Sequence, residues 1–180
     1  NQNDCENGRV FKDAISYGGW PMDVHHPKGM FSGSEGSFDC NKHVPIYTIP
    51  YRSLYSKNID NLLFAGRCAS VTHIALGTIR VESTLATMGQ AAGTAAAWCA
   101  RKSITPREIY ERYMKAFQQK LLKDDQTIPG IVNEDAADLA RTATVSASST
   151  AAFRYFSQKN VRKDRSHPMD HDRGMIFRAT

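Results

Sequence analysis

The longest stretch without a charged side chain constrains this sequence more than any other feature. Ser83 to Ala100 runs 18 residues with no Asp, Glu, Lys or Arg, between Arg80/Glu82 and Arg101/Lys102. Its length would allow a membrane span. However, Ser83, Thr84, Thr87, Gln90 and Thr94 are polar, and Ala with Gly supplies little of the transfer free energy that Leu or Ile gives. The stretch therefore predicts a helix from about Arg80 to Lys102, buried inside a water-facing protein. Gly89, Gly93 and Ala97 recur four apart on one face, with Ala92, Ala96 and Ala100 on the next row, so a second backbone can approach closely. Two interior glycines cost roughly 1 kcal/mol each against Ala, which close packing is expected to offset.

Around this helix the chain changes character. Residues 1–57 are broken by Gly18-Gly19, Pro21, Pro27, Gly29, Gly33, Gly36, Pro45 and Pro50, a pattern of short strands and long loops. Asn61-Leu62-Leu63-Phe64-Ala65 is a short apolar run stopped by Gly66, the signature of a buried strand with a ligand-side loop after it. Downstream, Thr105-Pro106-Arg107-Glu108 reads as an N-cap, a proline at the first helical position and an acid in the first turn. Ile109, Tyr113, Ala116, Phe117 and Leu121 then give an amphipathic face through about Lys123. Residues 124–132 form a connector, and 134–139 a short helical turn.

Composition narrows the function classes. With 41% apolar and 23% charged residues, the chain is near the globular average, and a mean hydropathy of -0.46 argues against a membrane protein. Of the net charge of +5, +4 falls between Ala151 and Thr180, where seven bases meet three acids. The body is almost neutral, which leaves little for a nucleic-acid partner to bind. Cys5, Cys40, Cys68 and Cys99 fit neither a zinc ribbon nor a redox CxxC pair. His25 and His26 lie near Asp23 and Asp39, but without the HxH or HxxxH spacing of a metal site, so no metal is expected.

Three runs taken together resemble the C-terminal flavin-binding segment of bacterial FAD-dependent oxidoreductases related to the glutathione-reductase and fumarate-reductase types. They are Asn61 to Arg67, His73 to Arg80 and Met88 to Ala96, with agreement in Gly18 to Asp23 and Ile46 to Leu54. The resemblance implies an α/β fold: the C-terminal part of a Rossmann-like FAD-binding domain with substrate-domain strands. It divides the chain into a flavin-facing, substrate-domain segment (1–57), the FAD-domain part with its following helix (58–127), a linker (128–142) and an incomplete β-rich tail (143–180). The run from Ala143 to Ser149 resembles the opening strand of a discoidin-like sandwich, which the remaining residues are too few to complete. The family's G-x-G-x-x-G turn does not occur, and Gly33-Ser34-Glu35-Gly36 lacks the strand and helix that would make it one. The chain is thus expected to be a fragment that holds FAD weakly and is inactive alone, with partner strands missing and an N-terminal part of the same enzyme as its partner.

The same resemblance assigns roles. Gly66, Arg67, Gly77, Thr78, Ile79 and Arg80 are expected at the cofactor, with a helix opening near Thr78-Ile79-Arg80 aiming its amides at the flavin pyrimidine edge. Gly77 is expected to leave room for the ring. Arg80 is the foremost functional candidate, as a planar clamp or proton donor; a helix-end ion pair is the plainer reading. His73, or one of His25 and His26, would take the proton from an alcohol, with a structural histidine the alternative in each case. Trp20 and Tyr51 would stack on substrate or pack in the core. The expected reaction is hydride transfer between a hydroxylated, carbohydrate-like substrate and flavin N5. The alternatives are a fumarate-reductase-like C=C reduction, and a non-catalytic module binding carbohydrate or protein. The resemblance points to a periplasmic or secreted setting.

Overall fold

A computed structural model describes residues 1–35 and 38–139, together with Thr144. The β-rich tail expected from residue 143, Thr144 apart, and the last residues of the expected linker lie outside this range.

The N-terminal third is built of short antiparallel pieces, as its glycines and prolines require. Strand β1 (Ala14–Gly18) pairs with β4 (Tyr47–Pro50), and β2 (Met22–His25) pairs with β3 (Phe38–Lys42). A short helix α1 (Gln2–Glu6) precedes them, unforeseen because it lies ahead of the glycines. The Asn1 side chain accepts from the Asn3 and Asp4 amides and Asp4 reciprocates, a capping box that starts one and a half turns.

The charge-free stretch forms α3 (Glu82–Lys102), within two residues of its expected start. Before it stands a separate helix, α2 (His73–Ile79), which the sequence pattern did not separate. Arg80 ends α2 by returning its amide to the Leu76 carbonyl, and Val81 is extended (ψ 144°), so the axis breaks before α3 begins. After α3, Ser103 adopts the left-handed conformation (φ 52°). Thr105 and Glu108 then form a capping box at the head of α4 (Pro106–Glu108). The expected amphipathic rod follows, with a π-helical turn at Ile109–Tyr113 before α5 (Met114–Lys123).

One core joins the N-terminal strands to the helices. Ile15 and Tyr51 from the strand region meet Met88 of α3, Ile109, and Phe117 and Leu121 of α5. Tyr51 is fully buried, its ring against Phe117 and its hydroxyl donating to the Pro106 carbonyl at 3.2 Å, so it is a packing residue and does not face a ligand. Residues 128–139 also return to the body. Ile128 is buried in the core, and Glu134 and Asp135 pair with Lys115 and Lys123 at 3.0 and 2.8 Å.

Two sequence expectations change. Asn61 to Ala65 is not a buried strand: Leu63 makes a single bridge to Tyr55, the Phe64 amide donates to the Leu54 carbonyl at 2.7 Å, and Asn61 and Leu62 are exposed. The run is paired only with the turn just upstream, and nothing else among the described residues extends it into a sheet. The small-residue face of α3 is also uncovered. Its buried face is Met88, Ala91, Ala92 and Ala95, whereas Gly93, Ala96, Ala97 and Ala100 are exposed. No described atom lies within 4 Å of where a Cβ would stand on Gly89 or Gly93.

Candidate functional site

Strand β2 has the period-2 alternation that sorts side chains between two faces. Met22 and Val24 are buried, while Asp23 is half-buried and His25 exposed. The pairing with β3 shifts register between Val24 and His25, an irregularity of the kind that re-aims a side chain. Helix α2 lies on this strand so closely that a Cβ on Gly77 would stand 2.9 Å from the Asp23 carbonyl oxygen and 3.2 Å from Val24 Cγ2. The room beside Gly77 that was expected for a flavin ring is occupied by the chain's own strand.

This contact brings the C-terminal end of α2 to the outer face of β2. Arg80 Nη2 donates to the Asp23 backbone carbonyl at 2.9 Å and lies 3.2 Å from Asp23 Oδ2. His25 Nε2 is 3.7 Å from the other carboxylate oxygen, Oδ1, which is shielded from solvent and has no hydrogen-bond partner among the described residues. The guanidinium and carboxylate are each 23% exposed and the imidazole 61%, so the cluster is rooted in the fold and open on its histidine side.

The other expected residues are placed differently. His26 is turned away, its Nε2 2.9 Å from Glu35, which also binds Lys28 Nζ at 2.7 Å. His73 is exposed at the first position of α2, at the opposite end from Arg80 and about 10 Å away along the axis. Thr78 and Ile79 stand at the carbonyl end of α2, so the expected helix opening there is corrected: the dipole at that point is negative. Ile79 is in the core, and the Thr78 hydroxyl accepts from Tyr47 (3.1 Å) and donates to the Trp20 carbonyl. Burial raises the Tyr47 phenol well above its ordinary range and also raises the Cys5 thiol beside it. Trp20 itself is half-exposed.

The helix start adjacent to Arg80 is that of α3, and like the start of α2 it has no side-chain cap. Its N-cap residue, Val81, has no side chain to satisfy the first turn, so Glu82, Ser83 and Thr84 present uncapped N–H groups next to Arg80. Gly66, with φ +63°, opens a single 3-10 turn through Cys68, and no atom of the described residues lies within 4 Å of its absent Cβ. Arg67 is exposed in that turn. Sequence reasoning weighed Asp23 only as a metal ligand beside His25 and His26, and set the helix opening at Thr78-Ile79-Arg80, a few residues ahead of the α3 first turn. The alternation of β2 and the extended Val81 were the available signals, and neither shows which helix would dock there.

Uncapped amides, a held guanidinium and a carboxylate–imidazole pair form a polar cluster that can meet a hydrogen-bond-accepting ring and a proton in transit. The chain belongs to the FAD dependent oxidoreductase family, whose model matches residues 1–121. Its cofactor is FAD, its family fold is Rossmann-like α/β, and the family acts as oxidoreductases on small molecules. No curated protein and no solved structure matches it. Among the described residues no helix is long and apolar enough to cross a membrane, and no group of three or more His, Cys, Asp or Glu could hold a metal ion.

The donor set present fits the flavin. The pyrimidine edge of an isoalloxazine accepts hydrogen bonds and gains negative charge on reduction, which uncapped amides at a 21-residue helix and a guanidinium complement. The open space beside Gly66 can admit a planar group against the backbone.

Proposed function

We propose that this chain supplies the flavin-edge and substrate-side elements of an enzyme that oxidises a hydroxylated, carbohydrate-like small molecule. The first turn of α3, Arg80 and the Gly66-Arg67 turn would hold the cofactor, and no G-x-G-x-x-G cradle for its pyrophosphate occurs in these 180 residues. Bound FAD would supply the two-electron acceptor for the hydride released as the carbinol C–H bond breaks, while oxygen would keep the O–H pair as the new C=O bond. His25 takes the hydroxyl proton as the O–H bond breaks. Arg80, oriented by Asp23, binds the substrate oxygen on which negative charge builds.

The observation that carries this reading is the juxtaposition on one face of His25, Asp23 and Arg80, beside the uncapped start of α3. It favours His25 over His26, which Glu35 holds, and over His73 at the far end of α2. The test is anaerobic bleaching of the flavin band in the FAD-loaded protein that carries this segment, with polyols and sugars as reductants and fumarate-type acids as oxidants of the reduced enzyme. Bleaching by a hydroxylated compound that falls at least 100-fold in His25→Gln supports the proposal. Reoxidation by an unsaturated acid, with no alcohol active, would replace it with C=C reduction. A protein that binds sugar but never exchanges electrons with it would be a binding module.

A further inference from the structure

The indole of Trp20 is 49% exposed, with no ring-stacking, cation or hydrogen-bond partner for its side chain among the described residues. The backbone that carries it is held firmly. Gly18, opposite Tyr47 in the β1–β4 ladder, has no side chain to block the phenol; a Cβ there would stand 2.6 Å from Tyr47 Cζ. The phenol therefore reaches Thr78 Oγ1 at 3.1 Å, and the Thr78 hydroxyl donates to the Trp20 carbonyl. Pro21 adds its own restriction by disfavouring helical backbone at Trp20. Only two side-chain torsions remain on this fixed mount, so little freedom is lost when something settles on the ring. The mount is shared with the polar cluster. From the last turn of α2 and its cap, Thr78 holds residue 20, while Gly77 packs on residue 23 and Arg80 binds it. Three residues of chain span at most about 10–11 Å, so Trp20 and Asp23 stand within the reach of one small ligand.

We infer that Trp20 is a specificity-determining residue of this site, an aromatic platform that takes a ring-closed sugar by its apolar C–H face in preference to an open-chain polyol. The inference rests on the proposed function for its substrate class and narrows it. A pyranose gathers its axial C–H groups into a flat apolar face with hydroxyls around the rim. A half-exposed indole with a free N–H at its edge complements that pattern. Ring closure has already fixed the apolar face, whereas the corresponding alditol must freeze its carbon-chain torsions to offer one. The platform binds substrate alike before and during hydride transfer, so it acts on affinity and not on the chemical step.

The test uses the FAD-loaded protein that carries this segment, labelled with fluorotryptophan, with Trp20 assigned by the ¹⁹F signal lost in Trp20→Phe. Methyl β-glucopyranoside and methyl β-galactopyranoside are compared with glucitol and galactitol. At least one pyranoside should shift the Trp20 signal saturably, and the matching alditol should need about 10-fold higher concentration for the same effect. A Trp20 signal that neither pyranoside moves, or that the alditols move equally well, overturns the inference, and this arm needs no alanine variant to fold. With the pyranoside that bleaches the flavin, Trp20→Ala should raise KM about 10-fold with kcat and flavin content little changed. An unchanged KM overturns the platform, and so does a loss of flavin, which would put the indole on the cofactor. The two proposals fail separately. A pyranoside that shifts the Trp20 signal and never bleaches the flavin leaves the platform and removes the oxidation. An alditol that bleaches the flavin while no pyranoside moves Trp20 leaves the oxidation and removes the platform.

Discussion

Replacing three glycines by alanine separates packing from propensity within one chain. At Gly77 the new Cβ would stand 2.9 Å from the Asp23 carbonyl oxygen, 3.3 Å from its carbon and 3.2 Å from Val24 Cγ2. Two of these neighbours are backbone, so β2 must retreat from α2 by a few tenths of an ångström, and overpacking of this kind costs about 1–3 kcal/mol. Against it stands the gain of about 0.5–1 kcal/mol from exchanging an interior helical Gly for Ala. Gly77→Ala is therefore expected to lose about 1 kcal/mol net. Gly89→Ala and Gly93→Ala meet nothing within 4 Å among the described residues, so each should gain about 0.5–1 kcal/mol. Urea titration followed by far-UV circular dichroism should place Gly77→Ala below the wild type and the two α3 variants above it, with unchanged m. A Gly77→Ala midpoint at or above that of Gly89→Ala would refute the claim that α2 and β2 touch through this glycine. Repeating the α3 variants in the FAD-loaded protein tests the face that is open here: if the gain becomes a loss, another backbone lies on Gly89 and Gly93.

Three further outcomes are expected. Thr78→Val removes the hydroxyl between Tyr47 and the Trp20 carbonyl and should cost about 1–3 kcal/mol in the same titration; a neutral result would mean that neither group depends on Thr78. Asp13→Ala strips the buried carboxylate that receives Arg52 Nη2 at 2.7 Å and Nε at 3.0 Å. It should cost about 2–3 kcal/mol, short of a fully buried pair because the Arg52 side chain is 47% exposed. Glu108 is held below the ordinary value of 4.5 chiefly by the Thr105 amide, so its contribution is complete above that value and is lost as pH falls through the lower folded pKa. The difference in thermal midpoint between wild type and Glu108→Gln should therefore narrow from about pH 6 to about pH 3. A difference that does not vary with pH would remove the capping box as its cause.

Features that depend on local chemistry were legible in the sequence. The uncharged run and its flanking charges located α3, and Thr105-Pro106-Arg107-Glu108 located the next helix start, because caps and periodicity act over a few residues. The break at Arg80-Val81 was not legible: no Pro or Gly marks it, and Val81 is extended where helix on both sides would have suited its neighbours. The π turn at Ile109–Tyr113 has no local signal either. Asn61 to Ala65 shows the converse. Its apolar letters fit a strand, but a strand is defined by its neighbours, and only Tyr55 and the turn beside it pair with this run among the described residues.

The site was legible as a set of residue types and not as an arrangement. Arg80 and His25 were both candidates, 55 positions apart, but what joins them is Asp23, whose importance arises from Gly77 letting α2 settle onto its carbonyl. The glycine assigned to making room for a cofactor instead makes room for a strand, and that close approach is what carries the guanidinium to the carboxylate. A glycine's missing side chain states that something comes close; only the tertiary fold says what. Gly66 retains the other possibility, since it has a positive φ and no atom of the described residues stands within 4 Å of its Cβ position, as is also true of Gly29, Gly33 and Gly130. The division of labour between these two glycines, one spent on packing and one left open, separates the part of the site this chain builds for itself from the part that the proposed cofactor contact would complete.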